Sequence, residues 1–100
     1  MAPKKKFDFP LAFVLWEDAY SHDDWVSLDE AKSHEPCLVK SVGWLVDESE
    51  RHVTIIQSLS SGEAGSRITV PKVYIKLFQT LVGNGKWKTI INNENPESAE

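Results

Sequence analysis

Residues 37–59 constrain the fold of this chain more than any other stretch. Two apolar runs rich in β-branched side chains, at 38–46 and 53–59, flank a polar segment of six residues at 47–52. Such runs predict a β-hairpin with a longer loop, because β-branched side chains pack well on a pleated surface. The rest of the chain is then expected to supply partners for the two edges of this hairpin.

The segment before the hairpin predicts a strand followed by a long connection. Pro10 disfavours a helix at the residue before it, so residues 11–16 are expected to be extended. Residues 17–36 lack an apolar period and are rich in turn formers. Within them we expect Trp25 to fold back onto the core, and Ser27 with Glu30 matches a capping box that predicts a short helix over 28–34.

The segment after the hairpin predicts two or three further short strands. Serine and glycine dominate residues 60–66, which are expected to form a flexible loop. Residues 67–70 and 73–75 are expected to be strands on either side of Pro71. The turn at 83–85 would allow residues 86–91 to return as a hairpin partner, which the sequence leaves open.

Small residues in the first strand of the central hairpin indicate a bend. Ser41 and Gly43 alternate with Val42 and Trp44, and a glycine within a strand marks a bulge, a bend or a close backbone approach. A long bent strand lets a small sheet close on itself. The sequence therefore predicts a mainly β fold, namely a small five-stranded antiparallel barrel with one short helix in the first connection.

Length and composition predict one domain. One hundred residues with 41% apolar content can fill a single core. We expect a mobile basic arm at 1–6, the barrel at 7–91 and a disordered acidic tail at 92–100. A lone Cys37 offers no internal disulfide, and no apolar run approaches the roughly 20 residues of a membrane span, so a cytoplasmic location is expected.

Several stretches together resemble small, mostly uncharacterised proteins encoded by tailed bacteriophages and prophages. They are WEDA at 16–19 with Ser21 and Trp25, SVGWLV at 41–46, QSL at 57–59, and ITVP at 68–71 with Ile75. This resemblance covers roughly residues 11–78. It implies an SH3-like or Sm-like small barrel in the cytoplasm of a bacterial host, and it implies no catalytic residues.

Two aromatic residues around a polar loop are the best candidates for a binding site. Trp16 and Trp25 bracket the irregular stretch 17–24, and tryptophan is common at interaction hot spots. The expected site consists of Trp16, Asp18, Ser21, His22, Asp23, Asp24 and Trp25. It would suit a peptide or a small polar ligand.

Catalysis and metal binding receive little support from the sequence. Asp18, His22, Asp23 and Asp24 carry metal-ligating groups, but their spacing matches no site of known geometry. Nothing places Cys37 beside a base that would activate it. We therefore expect no enzyme activity, no cofactor and no metal.

The charge distribution separates two binding hypotheses. The net charge of −4 disfavours general nucleic-acid binding, and residues 17–35 hold seven carboxylates against one lysine. The preferred hypothesis is an accessory protein that binds a host protein through this acidic face and modulates a host process. The alternative is an Sm-like barrel that binds nucleic acid or a nucleotide through Lys72, Lys76, Lys86 and Lys88. Such a barrel could assemble into a ring through its edge strands.

Overall fold

The computed structural model describes residues 9–94, so the predicted arm at 1–6 and residues 95–100 of the predicted tail lie outside the described residues. Within this range the chain forms six strands, one short α-helix and one 3₁₀ turn. In chain order these are β1 (Leu11–Asp18), α1 (Leu28–Lys32), β2 (Cys37–Glu48), β3 (His52–Ser60), β4 (Glu63–Pro71), the 3₁₀ turn (Lys72–Tyr74), β5 (Ile75–Leu81) and β6 (Trp87–Asn92).

All six strands belong to one antiparallel sheet in the order β4-β3-β2-β1-β5-β6. The prediction of a mainly β fold is confirmed. The sheet differs from the expected closed barrel of five strands, because it has six strands and is open, with β4 and β6 at its edges. The difference arises at residues 83–85, where the predicted turn returns the chain so that β6 pairs with the outer side of β5.

The central hairpin is present as predicted. β2 and β3 pair from Trp44 opposite Ile56 to Glu48 opposite Val53. The turn between them is held by the hydroxyl of Ser49, which accepts hydrogen bonds from the backbone N–H groups of two following residues. The hairpin therefore ends in a compact turn rather than in the longer loop that the polar composition indicated.

The expected flexible loop at 60–66 is instead part of a second hairpin. β3 and β4 remain paired up to Ser60 opposite Glu63, and only Ser61 and Gly62 form the turn. Both turn residues have positive φ angles, of 50° and 81°. A two-residue turn of this kind matches the twist of the flanking strands, so the serine-rich and glycine-rich segment continues the ladder.

The core lies against one face of the sheet. Alternate residues of β1, namely Ala12, Val14 and Trp16, point into it and meet partners from β3, β4 and β5. Those partners are Val53, Ile55, Val70, Ile75 and Phe78. Each is almost fully buried, so this face supplies most of the hydrophobic stabilisation of the described residues.

The C-terminal end of the sheet is anchored beyond β6. The backbone N–H of Asn93 donates to the carbonyl of Lys76, and the Asn93 side chain donates to the carbonyl of Ile75. The chain is thus attached to β5 as far as residue 93. No helix within residues 9–94 has both the length and the apolar character that crossing a membrane requires.

Candidate functional site

The segment that joins β1 to β2 extends away from the sheet and then returns to it. Its ends are fixed because Asp18, the last residue of β1, pairs with Cys37, the first residue of β2. We call residues 19–36 the β1–β2 connection. Every residue in it is exposed, and α1, which lies inside it, buries none of its side chains. The connection is therefore outside the core.

The helix in this connection begins where the sequence predicted. Ser27 is the N-cap, and its hydroxyl accepts the backbone N–H of Glu30 at 3.1 Å. Asp29 and Glu30 occupy the first turn, where carboxylates interact favourably with the helix dipole. The helix ends at Lys32, two residues earlier than predicted, and Ser33 caps its C-terminal end by donating to the carbonyl of Glu30. The cap thus orders a segment that has no core contacts.

Trp25 is the most exposed large side chain of the connection. Its side chain is 99% exposed, so the expectation that it folds back onto the core is wrong. The core face of β1 is already covered by side chains from β3, β4 and β5, which leaves Trp25 outside. Val26 is exposed beside it, and Leu28, the first residue of α1, is 78% exposed. We call Trp25, Val26 and Leu28 the Trp25 patch.

Trp16 does not share a surface with Trp25. It is only 9% exposed, and its indole N–H donates to the hydroxyl of Ser41 at 3.1 Å. This residue is a core side chain whose polar atom is satisfied by the neighbouring strand. The predicted pair of tryptophans around one ligand is therefore not formed, and Trp25 alone remains available.

Carboxylates dominate the surroundings of the Trp25 patch. Within the connection, one lysine, Lys32, accompanies the exposed side chains of Asp23, Asp24, Asp29, Glu30 and Glu35. Just before the connection, Asp18 is exposed at the end of β1, while Glu17 lies 3.6 Å from the ammonium group of Lys76. The patch is thus an apolar group of side chains on a negatively charged surface.

Three aromatic rings meet at the base of the connection. Tyr20 stacks on His34 with ring centroids 5.2 Å apart, and His22 meets both rings edge-on at 4.8 and 5.5 Å. The Nδ1 atom of His22 also lies 4.0 Å from a carboxylate oxygen of Asp24. This cluster joins the two arms of the β1–β2 connection. It therefore stabilises the connection without contacts to the core.

A shallow depression of about 800 Å³ lies over the ring cluster. Its lining includes Tyr20, His22, Asp24, Val26, Glu30, His34 and Cys37. The thiol of Cys37 donates to the carbonyl of Leu38 at 3.8 Å rather than to either imidazole. Among residues 9–94, no three side chains of His, Cys, Asp or Glu come together in a way that could hold a metal ion.

The four lysines of the alternative hypothesis do not form one face. Lys72 forms an ion pair with Glu48 at 2.9 Å, and Lys76 lies beside Glu17. Lys88 is opposite Thr80 in the β5–β6 pair, at the far end of β5 from Lys76. The charges of Lys72 and Lys76 are therefore compensated by carboxylates. Lys86 and Lys88 lie near the C-terminal end of β5, away from Lys76.

Sequence reasoning overlooked the roles of Tyr20, His34 and Leu28. The sequence singled out His22 for its metal-ligating group, whereas in the structure both His22 and His34 pack against Tyr20. The signal for Leu28 was available, since a helix that carries one leucine near its capping serine has no apolar stripe to bury. The ring cluster could not be inferred from the sequence, because it requires residues 20 and 34 to contact each other from opposite arms of the β1–β2 connection.

The fold and this surface define a small antiparallel β protein with an exposed acidic and aromatic connection. No protein-family model matches the chain, and no curated protein or solved structure is significantly similar to it.

Proposed function

We propose that this chain is a non-enzymatic accessory protein that binds a protein of a bacterial host cell and modulates a host process. The observation that carries the proposal is the exposure of Trp25 beside two further exposed apolar side chains. Tryptophan buries a large apolar area on association and is enriched among residues that dominate binding energy. The resemblance of residues 11–78 to phage proteins is the basis for placing the partner in a bacterial cytoplasm.

The energetics favour a protein surface as the partner. Burying most of a tryptophan side chain removes roughly 150–250 Å² from water, which corresponds to about 4–6 kcal/mol before the costs of association. A hot spot of this type typically contributes at least 2 kcal/mol. Val26 of the patch also lines the depression over the ring cluster, so a partner that covers Val26 reaches the edge of that depression.

The fold proposal follows the same resemblance. We propose that β1–β5 are related to the SH3-like and Sm-like small barrels, with β6 added at one edge. Support comes from the order of elements: a strand, a connection with a helix, a long hairpin, a strand that ends in proline, and a short strand after a single turn. In this proposal the β1–β2 connection serves as the recognition loop of the scaffold.

The binding proposal can be tested in living cells with a photoreactive residue. Replacing Trp25 with p-benzoylphenylalanine should give adducts with a host protein upon irradiation. The matched control carries the same residue at Trp87, which is 45% exposed on β6. Adducts should depend on position 25 and should decrease when Asp18, Asp23 and Asp24 are changed to Asn. Equal adduct yields at the two positions would contradict the proposal.

Nucleic-acid binding is the second candidate, and one observation favours it. Trp87 lies between Lys86 and Lys88 at the exposed β5–β6 hairpin, and an aromatic residue among lysines suits stacking on a base near phosphates. Among residues 9–94 no further strand pairs with the outer sides of β4 and β6, which would allow a ring of copies. The ion pairs of Lys72 and Lys76 weaken this candidate.

A further inference from the structure

The charge around the Trp25 patch restricts the partners that it can bind. Five carboxylates and one lysine give the β1–β2 connection a formal charge of −4, and every one of these side chains is exposed. The partner must therefore approach Trp25 through a negative field. Like-charged surfaces are repelled at close range, whereas a positive surface is attracted and oriented.

The local structure places the charge and the apolar side chains together. Ser27 caps α1 between Val26 and Leu28, and the two residues after Leu28 are Asp29 and Glu30. Asp23 and Asp24 precede Trp25 directly. A partner that covers the patch must consequently also cover carboxylates, which lose their hydration unless cationic groups or N–H donors replace the water.

We infer that the partner presents an apolar socket edged by lysine and arginine side chains. This inference rests on the proposed function and specifies the chemistry of the partner. Trp25 and Leu28 occupy the socket, and the carboxylates at 23, 24, 29 and 30 meet its cationic edge. Electrostatic attraction makes association fast and salt-sensitive, while the tryptophan limits dissociation. Polyanions such as nucleic acids do not bind this surface.

Peptides of defined chemistry test this inference without knowledge of the natural partner. Three fluorescein-labelled 12-residue peptides serve as probes: one alternates Phe with Lys, one alternates Phe with Glu, and one alternates Ser with Lys. Binding to the full chain is followed by fluorescence anisotropy. We expect the Phe and Lys peptide to bind at least tenfold more tightly than either other peptide, and more weakly as salt increases.

Substitutions assign the binding to the patch. Trp25→Ala should weaken binding of the Phe and Lys peptide at least tenfold, and Trp87→Ala should change it less than twofold. Asp23→Asn with Asp24→Asn should weaken binding and reduce its dependence on salt. The inference is overturned if the Phe and Glu peptide binds equally well, if no peptide binds, or if the two tryptophan variants behave alike.

The failure of this inference can be distinguished from failure of the proposed function. Photocrosslinking at position 25 identifies the segment of the host protein that carries the adduct. A segment with apolar residues and an excess of lysine and arginine supports the inference. An acidic or uncharged segment overturns it while the proposed function stands. Adduct yields at position 25 no higher than those at position 87 overturn both.

Discussion

A Cβ atom placed on Gly43 would overlap the carbonyl oxygen of Ile56. Real Cβ atoms essentially never approach a backbone oxygen this closely, so only glycine fits at this position. Gly43 pairs with Ala12 of β1, and the next residue, Trp44, begins the ladder with β3. The contact is located where β2 passes from one set of partners to the other.

Gly43→Ala is expected to destabilise the sheet by about 1–3 kcal/mol, because the backbone of Ile56 must move to accommodate the methyl group. Urea unfolding followed by circular dichroism measures the change. The matched control is Gly83→Ala, where an added Cβ would meet no atom within 4 Å. The control should be neutral or slightly stabilising. Equal midpoints for the two variants would show that the close approach is absent in solution.

Ser41→Ala is expected to reduce stability by about 1–2 kcal/mol, because it leaves the indole N–H of Trp16 without its acceptor in a largely buried site. The fluorescence of the folded protein should also change, since the environment of Trp16 changes. Ser58→Ala, at an exposed position of β3, provides the comparison. A loss no larger than that of Ser58→Ala would contradict the hydrogen bond between Trp16 and Ser41.

Ser27→Ala is expected to leave the free energy of global unfolding unchanged within about 0.5 kcal/mol, although the removal of an N-cap typically costs about 1 kcal/mol in a helix. The reason is that α1 buries no side chain, so its local unfolding is separate from that of the sheet. Hydrogen exchange should become faster at residues 28–32 and stay unchanged in β1. A large loss of global stability would mean that the helix packs on the core.

Oligonucleotides are expected to bind weakly and without the salt dependence of a phosphate-binding face. Of the four lysines, Lys72 and Lys76 are compensated by carboxylates, which leaves Lys86 and Lys88 on either side of Trp87. Fluorescence titration with single-stranded DNA at several salt concentrations measures the slope of affinity against salt. A steep slope that disappears in a variant with Lys86→Ala and Lys88→Ala would favour the alternative function.

The parts of the fold that follow from local chemistry could be predicted from the sequence. Ser27 with Glu30 located the start of α1, and Pro71 located the end of β4. The prediction of a flexible loop at 60–66 was wrong, because serine and glycine suit a flexible loop as well as a tight turn. A tight turn forms here because Ser61 and Gly62 adopt positive φ angles and the flanking residues pair across the ladder. Composition alone does not determine either feature.

The surroundings of Trp25 could be predicted from the sequence only in part, because burial depends on how distant strands pack. Hydrophobicity suggested that Trp25 belongs to the core, but whether an apolar side chain is buried depends on the space that other strands leave. In this fold β3, β4 and β5 already cover the inner face of β1. The contact between Tyr20 and His34 likewise depends on the pairing of Asp18 with Cys37, which brings distant parts of the connection together.

The central claim is that Trp25 anchors a protein partner. Its most direct test is the dissociation constant of the host protein recovered by crosslinking, measured by calorimetry for the wild type, Trp25→Ala and Trp87→Ala. We expect Trp25→Ala to weaken binding at least tenfold, in line with a loss of 1.4 kcal/mol or more, and Trp87→Ala to change it less than twofold. Unchanged affinity of Trp25→Ala, with the fold intact by circular dichroism, would contradict the claim.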